Sequence, residues 1–246
     1  MHSVQLVQSA PFLLFRRKSF SGFPLIAYSI AAARQSEGVT RVIVSTDSPE
    51  ISDVAKKFGA EVPFIRPASL AEDTTPDQPV FLHALTWLAE NEDYRPDLVV
   101  QLRPTSPIRP LDLIDRAIGI MNENPDADSV RGVVPAGQNP YKMWRIAADG
   151  KLMPLLTVAG IDEPYNAPRQ SLPPVYWQTG HIDVIRPEVI LKKGSMSGDV
   201  ILPVLIDPDY MVDIDNLGDW ARYEWVVREK NLEMVWPGSK KRQWPE

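Results

Sequence analysis

Apolar positions in the first half of the chain switch between helical spacing and short continuous runs. Residues 24–34 (PLIAYSIAAAR) have helical spacing, with Pro24 at a first helical position. Residues 41–46 (RVIVST) are β-branched and predict a buried strand. Asp47-Ser48-Pro49-Glu50 then opens a helix with Ile51, Val54 and Ala55 inward, and Gly59 closes it. Val62–Ile65 has the composition of a second strand. A helix follows over 75–91, capped by Thr75 before Pro76, with Val80, Ala84, Leu85 and Leu88 inward. Leu98–Leu102 predicts a strand, 110–122 a helix and Ser129–Val134 a strand. This order argues an α/β fold: three layers, α/β/α, around a mostly parallel sheet.

The pattern breaks at 137–175, which is rich in Pro, Gly and Asn. Trp144–Ile146 and Lys151–Met153 flank Ala148-Asp149-Gly150 as a hairpin, so the stretch reads as an excursion or a small dimerisation arm. Strand and helix signals resume at 182–185, 201–206 and 216–228. The expected organisation is one domain over 1–236, with the arm inserted, and a loose polar tail at 237–246.

Composition narrows the function. The chain has 246 residues, enough for one sizeable core. A net charge of −6 argues against a general nucleic-acid binder. The absence of cysteine excludes disulfides, thiolate zinc and a cysteine nucleophile, and suits a reducing cytoplasm. Three histidines are too few for most His-rich metal sites, which leaves carboxylate-held magnesium open. Residues 4–15 are apolar, but Arg16-Arg17-Lys18 follows them, the reverse of a secretory signal. No apolar run approaches the ~18 residues of a membrane span, so no membrane partner is expected.

In open α/β sheets, ligands bind beyond the carboxyl ends of the strands. Arg103, Thr105, Ser106 and Arg109 follow one strand, in a loop that two prolines stiffen. The loop reads either as a rigid crossover or as a site for an acidic or phosphorylated ligand, which Arg forks match. Asp213 and Asp215 alternate in an extended segment and so share a side, where a cation would relieve their repulsion. Asp215 reads equally as a helix N-cap. Asp73-Thr74-Thr75 is a cap or a ligand loop, His83 a core or interface residue, and His181 is open. The Trp and Tyr residues at 141–144 and 176–177 read as packing or dimer contacts.

Six segments then fall in a familiar order: VIVSTDSPEI (42–51), GAEVPFIRPASLAEDTTPD (59–77), PTSPIRP (104–110), NPYKMW (139–144), RQSLPPVYWQTG (169–180) and VDID (212–215). Together they resemble the acylneuraminate cytidylyltransferases, over about residues 22–230. The resemblance implies a nucleotide-diphospho-sugar transferase-like fold. It implies transfer of CMP from CTP to the anomeric hydroxyl of a nonulosonic, sialic-acid-like sugar, with magnesium and a homodimer formed through the arm. By position, Asp213 and Asp215 would hold the metal, and Asp73, Thr74 and Thr75 would face the nucleotide. Arg103 and Arg109 would be catalytic, and Arg103, Arg169, Gln170 and Tyr176 would bind the sugar. A catalytically silent binding or dimer partner, and a transferase for an eight-carbon ulosonic acid, are the alternatives.

The head of the chain departs from the family pattern. Residues 1–21 contain no glycine, and on this reading supply neither the opening strand nor the glycine-rich phosphate loop. The break is as abrupt as a reading-frame slip upstream of Gly22 would make, and slow turnover of CTP is expected from it. Arg103 stands where the family usually has Gln, and Gln178 and His181 also replace commoner residues.

Overall fold

The computed structural model describes residues 3–8, 19–230 and 232–238. In chain order the elements are β1 (Ser3–Gln8), β2 (Ser19–Phe20), β3 (Phe23–Pro24), α1 (Leu25–Gln35), β4 (Val39–Ser45), α2 (Pro49–Lys57), α3 (Asp77–Asn91) and β5 (Leu98–Gln101). Then follow α4 (Leu113–Glu123), β6 (Ser129–Pro135), β7 (Trp144–Ile146), β8 (Leu152–Pro154), β9 (Tyr176–Ile185), α5 (Pro187–Leu191), β10 (Ile201–Leu205) and α6 (Leu217–Lys230). Six strands form one sheet in the order β10-β6-β9-β5-β1-β4.

β1 lies inside that sheet, parallel to β4 on one side and β5 on the other. This corrects the expectation that the head of the chain lacks the opening strand. Val4, Leu6 and Val7 favour a strand without any glycine, and pairing on both sides makes it central. Residues 9–18 of the head, where the phosphate loop is read as missing, lie outside the described residues. So does most of the expected tail, residues 239–246.

The sheet is mixed, because β9 runs antiparallel to β5. Parallel return needs a crossover, usually a helix. Between β6 and β9 the chain has short turns and the β7–β8 hairpin. Val62–Ile65 is not a strand: only Glu61 bridges to Ile43. Pro63 and Pro67 remove ladder donors there. Helix α3 begins at Asp77 rather than Thr75, with Pro76 at its cap position and no side-chain cap.

Two apolar clusters fix the frame. α3 turns Phe81, Ala84, Leu85 and Leu88 onto Val99 of β5 and Ile185 of β9. The spacing is that of one helical face. In the second, Phe20 and Tyr28 pack with Trp220, Val212 and Ile214. The Tyr28 hydroxyl donates to the Phe20 carbonyl at 2.6 Å. Burial of Val212 and Ile214 holds the segment that carries Asp213 and Asp215.

The chain divides into two compact units, 1–132 with 179–246, and 133–178. The second encloses the expected arm. Within it, Lys142 Nζ donates to the carbonyls of Tyr165 and Ala167, at 3.1 and 2.6 Å. The Trp144 ring lies 4.4 Å from that of Tyr165.

Candidate active site

The strand β5 ends at Gln101, and the chain turns through Leu102–Arg109. The loop is braced from inside. Arg109 is buried; its Nε donates to the His181 carbonyl at 2.8 Å and its Nη2 to the Arg103 carbonyl at 2.6 Å. The Ser106 N–H shares that Arg103 carbonyl at 3.2 Å, and the Arg103 N–H reaches the Gly180 carbonyl at 3.2 Å. Burial pushes the Arg109 guanidinium down to about 9, so it stays charged at neutral pH. Gly180 is required by proximity: a Cβ there would sit 2.6 Å from Ser106 Oγ.

Arg103 turns the other way. Its side chain is 41% exposed, and its Nη2 donates to Asp77 Oδ2 at 3.1 Å. The same oxygen accepts from Gln101 Nε2 at 2.8 Å. Asp77 opens α3, where a carboxylate also favours the helix dipole.

The 211–215 segment is stitched to this loop. The Ile214 N–H donates to the Thr105 carbonyl at 2.9 Å. The Thr105 hydroxyl also bonds the Asp213 carboxylate. Exposure alternates along the segment, with Val212 and Ile214 inward and Asp213 and Asp215 outward. Asp213 is raised above the usual carboxylate range, first by burial and then, against the lowering by Thr105, by the charge of Asp215; Arg103 opposes this. The pair carries repulsion that a cation would relieve, and so fits a divalent metal. Among the described residues no three carboxylates or histidines group into a complete metal cage. A metal here would need further oxygens from its substrate. The N-cap role belongs to Asn216, whose Oδ1 accepts from the N–H groups of Gly218 and Asp219 at 2.8 and 3.0 Å. Asp215 is left outward.

Asp73, Thr74 and Thr75 occupy the turn before α3, closed by the Thr75 N–H on the Glu72 carbonyl at 3.0 Å. Asp73 and Thr74 are exposed. Arg169, Gln170 and Tyr176 belong to the second unit. There Arg169 Nη2 donates to the Ala136 carbonyl at 2.7 Å, and Gln170 and Tyr176 are exposed. The structure therefore brings Arg103, Arg109 and Asp213 together at one loop. His83 packs edge-on against Phe64 at 5.0 Å. His181 is buried and pushed down to about 3, mainly by burial, and its Nε2 lies 2.8 Å from the Tyr210 carbonyl.

Four residues of the neighbourhood went unread in the sequence: Asp77, Gln101, Arg131 and Asp183. Asp183 is buried on β9 and ion-paired with Arg131 Nε of β6 at 2.9 Å. Its one sequence signal is an acid inside the apolar run Ile182–Ile185.

The profile of the family described as Cytidylyltransferase matches residues 17–143. The chain is 31% identical over 216 residues to the post-translational flagellin modification protein B of Campylobacter coli, covering 88% of this chain and 89% of that one. It is 32% identical to the CMP-N,N'-diacetyllegionaminic acid synthase of Legionella pneumophila, over 87% of this chain and 89% of the relative. Its fold is similar to that of a CMP:2-keto-3-deoxy-manno-octonic acid synthetase solved with CTP, with a TM-score of 0.66 at 13% identity, covering 94% of this chain and all of the other.

Proposed function

The chain belongs to the cytidylyltransferase family, and on that premise we propose that it moves CMP from CTP to the anomeric hydroxyl of a nonulosonic, sialic-acid-like sugar. The anomeric oxygen forms a bond to the α-phosphorus of CTP, the bond from that phosphorus to the β-phosphate oxygen breaks, and pyrophosphate leaves; the hydroxyl proton is released. The observation that carries this reading is the joining of Asp213 to the 103–109 loop through Thr105, at the carboxyl end of β5. The reaction needs placement and charge neutralisation more than a covalent nucleophile.

Asp213 and Asp215 would hold magnesium, which supplies charge neutralisation at the phosphates when bound. Arg103, partly exposed, is the cation of the loop placed to meet an acidic or acceptor-rich group. Arg109 serves as a positioning residue, because its guanidinium is turned onto backbone carbonyls. Asp73, Thr74 and Thr75 remain proposed nucleotide contacts, and Arg169, Gln170 and Tyr176 proposed sugar contacts from the arm. The proposed setting is the cytoplasm; no helix of the described residues is long and apolar enough to cross a membrane.

The test is formation of CMP-sugar and pyrophosphate from CTP with a panel of nonulosonic and eight-carbon ulosonic acids. Asp213→Ala and Asp215→Ala should abolish magnesium-dependent turnover and leave the melting temperature within a few degrees, since both side chains face outward. Ordinary turnover in both variants would remove the metal assignment. Transfer to the eight-carbon sugar alone would replace the proposed substrate class.

A further inference from the structure

The row of side chains that β5 and β9 present to α3 changes character along its length. Val99 and Ile185 lie opposite each other and belong to the core under α3. Two residues further along β5 the opposed pair is Gln101 and Asp183, each 2% exposed. Side chains repeat every second residue, so this pair continues the same row. A carboxylate at a core position is costly unless it is partnered.

The partners form one connected line. Asp183 meets Arg131 of β6, the next strand over. Gln101 donates to Asp77, which also holds Arg103. Arg103 opens the loop whose Thr105 carbonyl accepts from the Ile214 N–H, between Asp213 and Asp215. The line runs from the outward carboxylate pair across β5 and β9 to β6. Two strand spacings make about 10 Å, comparable to the length of one sugar ring with a substituent. Along it each guanidinium is matched by a carboxylate, Arg103 by Asp77 and Arg131 by Asp183. At Arg131 a second anion would find the cation already compensated by a buried carboxylate. A neutral acceptor would still find N–H donors, and the Arg131 side chain, 22% exposed, reaches solvent where Asp183 does not.

We propose that Arg131 is a specificity-determining residue that donates to the carbonyl oxygen of an acylamido substituent on the part of the sugar remote from the anomeric carbon, and that Asp183 is the positioning residue that fixes its guanidinium. This rests on the cytidylyltransfer proposed above. An ion pair that served only the fold would change stability and leave the choice between sugars alone.

The experiment measures kcat/KM for two nonulosonic acids that differ only in bearing an acylamido group or a hydroxyl at the remote position. Wild type, Arg131→Gln, Arg131→Lys and Asp183→Asn are compared, with thermal melts alongside. Wild type should prefer the acylamido sugar. Arg131→Gln should reduce that preference by roughly tenfold or more, from the worth of a charge-assisted hydrogen bond. Arg131→Lys should restore part of it, and Asp183→Asn should reduce it through KM. Both sugars are read on the same preparation, so the ratio does not depend on the folded fraction. An unchanged ratio in Arg131→Gln and Asp183→Asn overturns the assignment while transfer itself stands. A wild type that forms no CMP-sugar with any sugar overturns the function beneath it.

Discussion

Arg103 and Arg109 close the two ends of one loop, and their burial separates their energetics. Arg109 is buried and donates to two backbone carbonyls. Lysine cannot reproduce that fork, and each orphaned carbonyl costs about 1–3 kcal/mol. Arg109→Lys should therefore lower the unfolding free energy by about 2–4 kcal/mol, whereas Arg103→Gln, losing a partly exposed pair, should cost under about 1 kcal/mol. Urea midpoints decide it; a larger loss at Arg103 would show that Arg109 does not brace the loop. The neighbours His181 and Asp183 make a second contrast. His181 is depressed to about 3 by burial, so its contribution is complete above the unfolded value near 6.5 and is lost as pH falls. Asp183 is raised to about 6, first by burial, so the native state keeps a proton that the unfolded chain has released. Its contribution therefore grows as pH falls from about 6 to about 4. The two slopes oppose each other in that window. Asp183→Asn should expose a fall in stability from pH 6 to 4 relative to wild type, and His181→Gln a rise. Parallel curves for both variants would mean that neither group titrates as described.

Elements show why some of this was legible and some was not. α2 could be read whole: Ser48 accepts from the Ile51 N–H, Pro49 takes the first turn, and Gly59 turns left-handed at φ 87°. The inward face of α3 follows from i, i+4 spacing alone, although its start moved to Asp77 because Thr75 is tied to Glu72. Direction within a sheet leaves no mark on a strand of period two, so the reversal of β9 was invisible. Val62–Ile65 had strand composition but proline-flanked donors. The polar row of Gln101 and Asp183 was missed because membership depends on which residues β5 and β9 set opposite each other. Arg109 looked like a ligand cation because loop sequence does not disclose that the guanidinium folds back inside. On β9, Gly180 was quoted only as part of a motif, yet strand and loop approach closely there. Gly180→Ala would place a methyl 2.6 Å from Ser106 Oγ and 3.3 Å from Arg103 Cδ. Overpacking of this kind costs about 1–3 kcal/mol. Because the displaced atoms belong to the proposed site, kcat/KM should fall by roughly tenfold at a temperature where the variant is still folded. Unaltered kinetics would mean that the loop can shift without consequence for the reaction.

At the scale of the whole molecule, the unit over 133–178 raises the question of what its apolar surface serves. Its hairpin is solvent-facing on both strands: all six residues of β7 and β8 are exposed, with Ile146 at 77% and Leu152 at 60%. An exposed apolar patch on a folded chain commonly marks an association surface. Two further large side chains of that unit, Tyr176 and Trp177, are exposed as well. A second copy of the same chain is the simplest partner, because a two-fold axis sets one patch against its own image and closes the assembly. A stable contact needs roughly 1,000 Å² or more in total. The expected mass by light scattering at micromolar concentration is therefore twice the 27.6 kDa of one chain. Ile146→Asp combined with Leu152→Asp should bring it to the single-chain value, because two charges per hairpin would be buried without partners. Both side chains are exposed, so the urea midpoint extrapolated to low protein concentration should match that of wild type. A wild type that sediments as a monomer, or a double variant that stays dimeric, would place the association surface elsewhere on the chain.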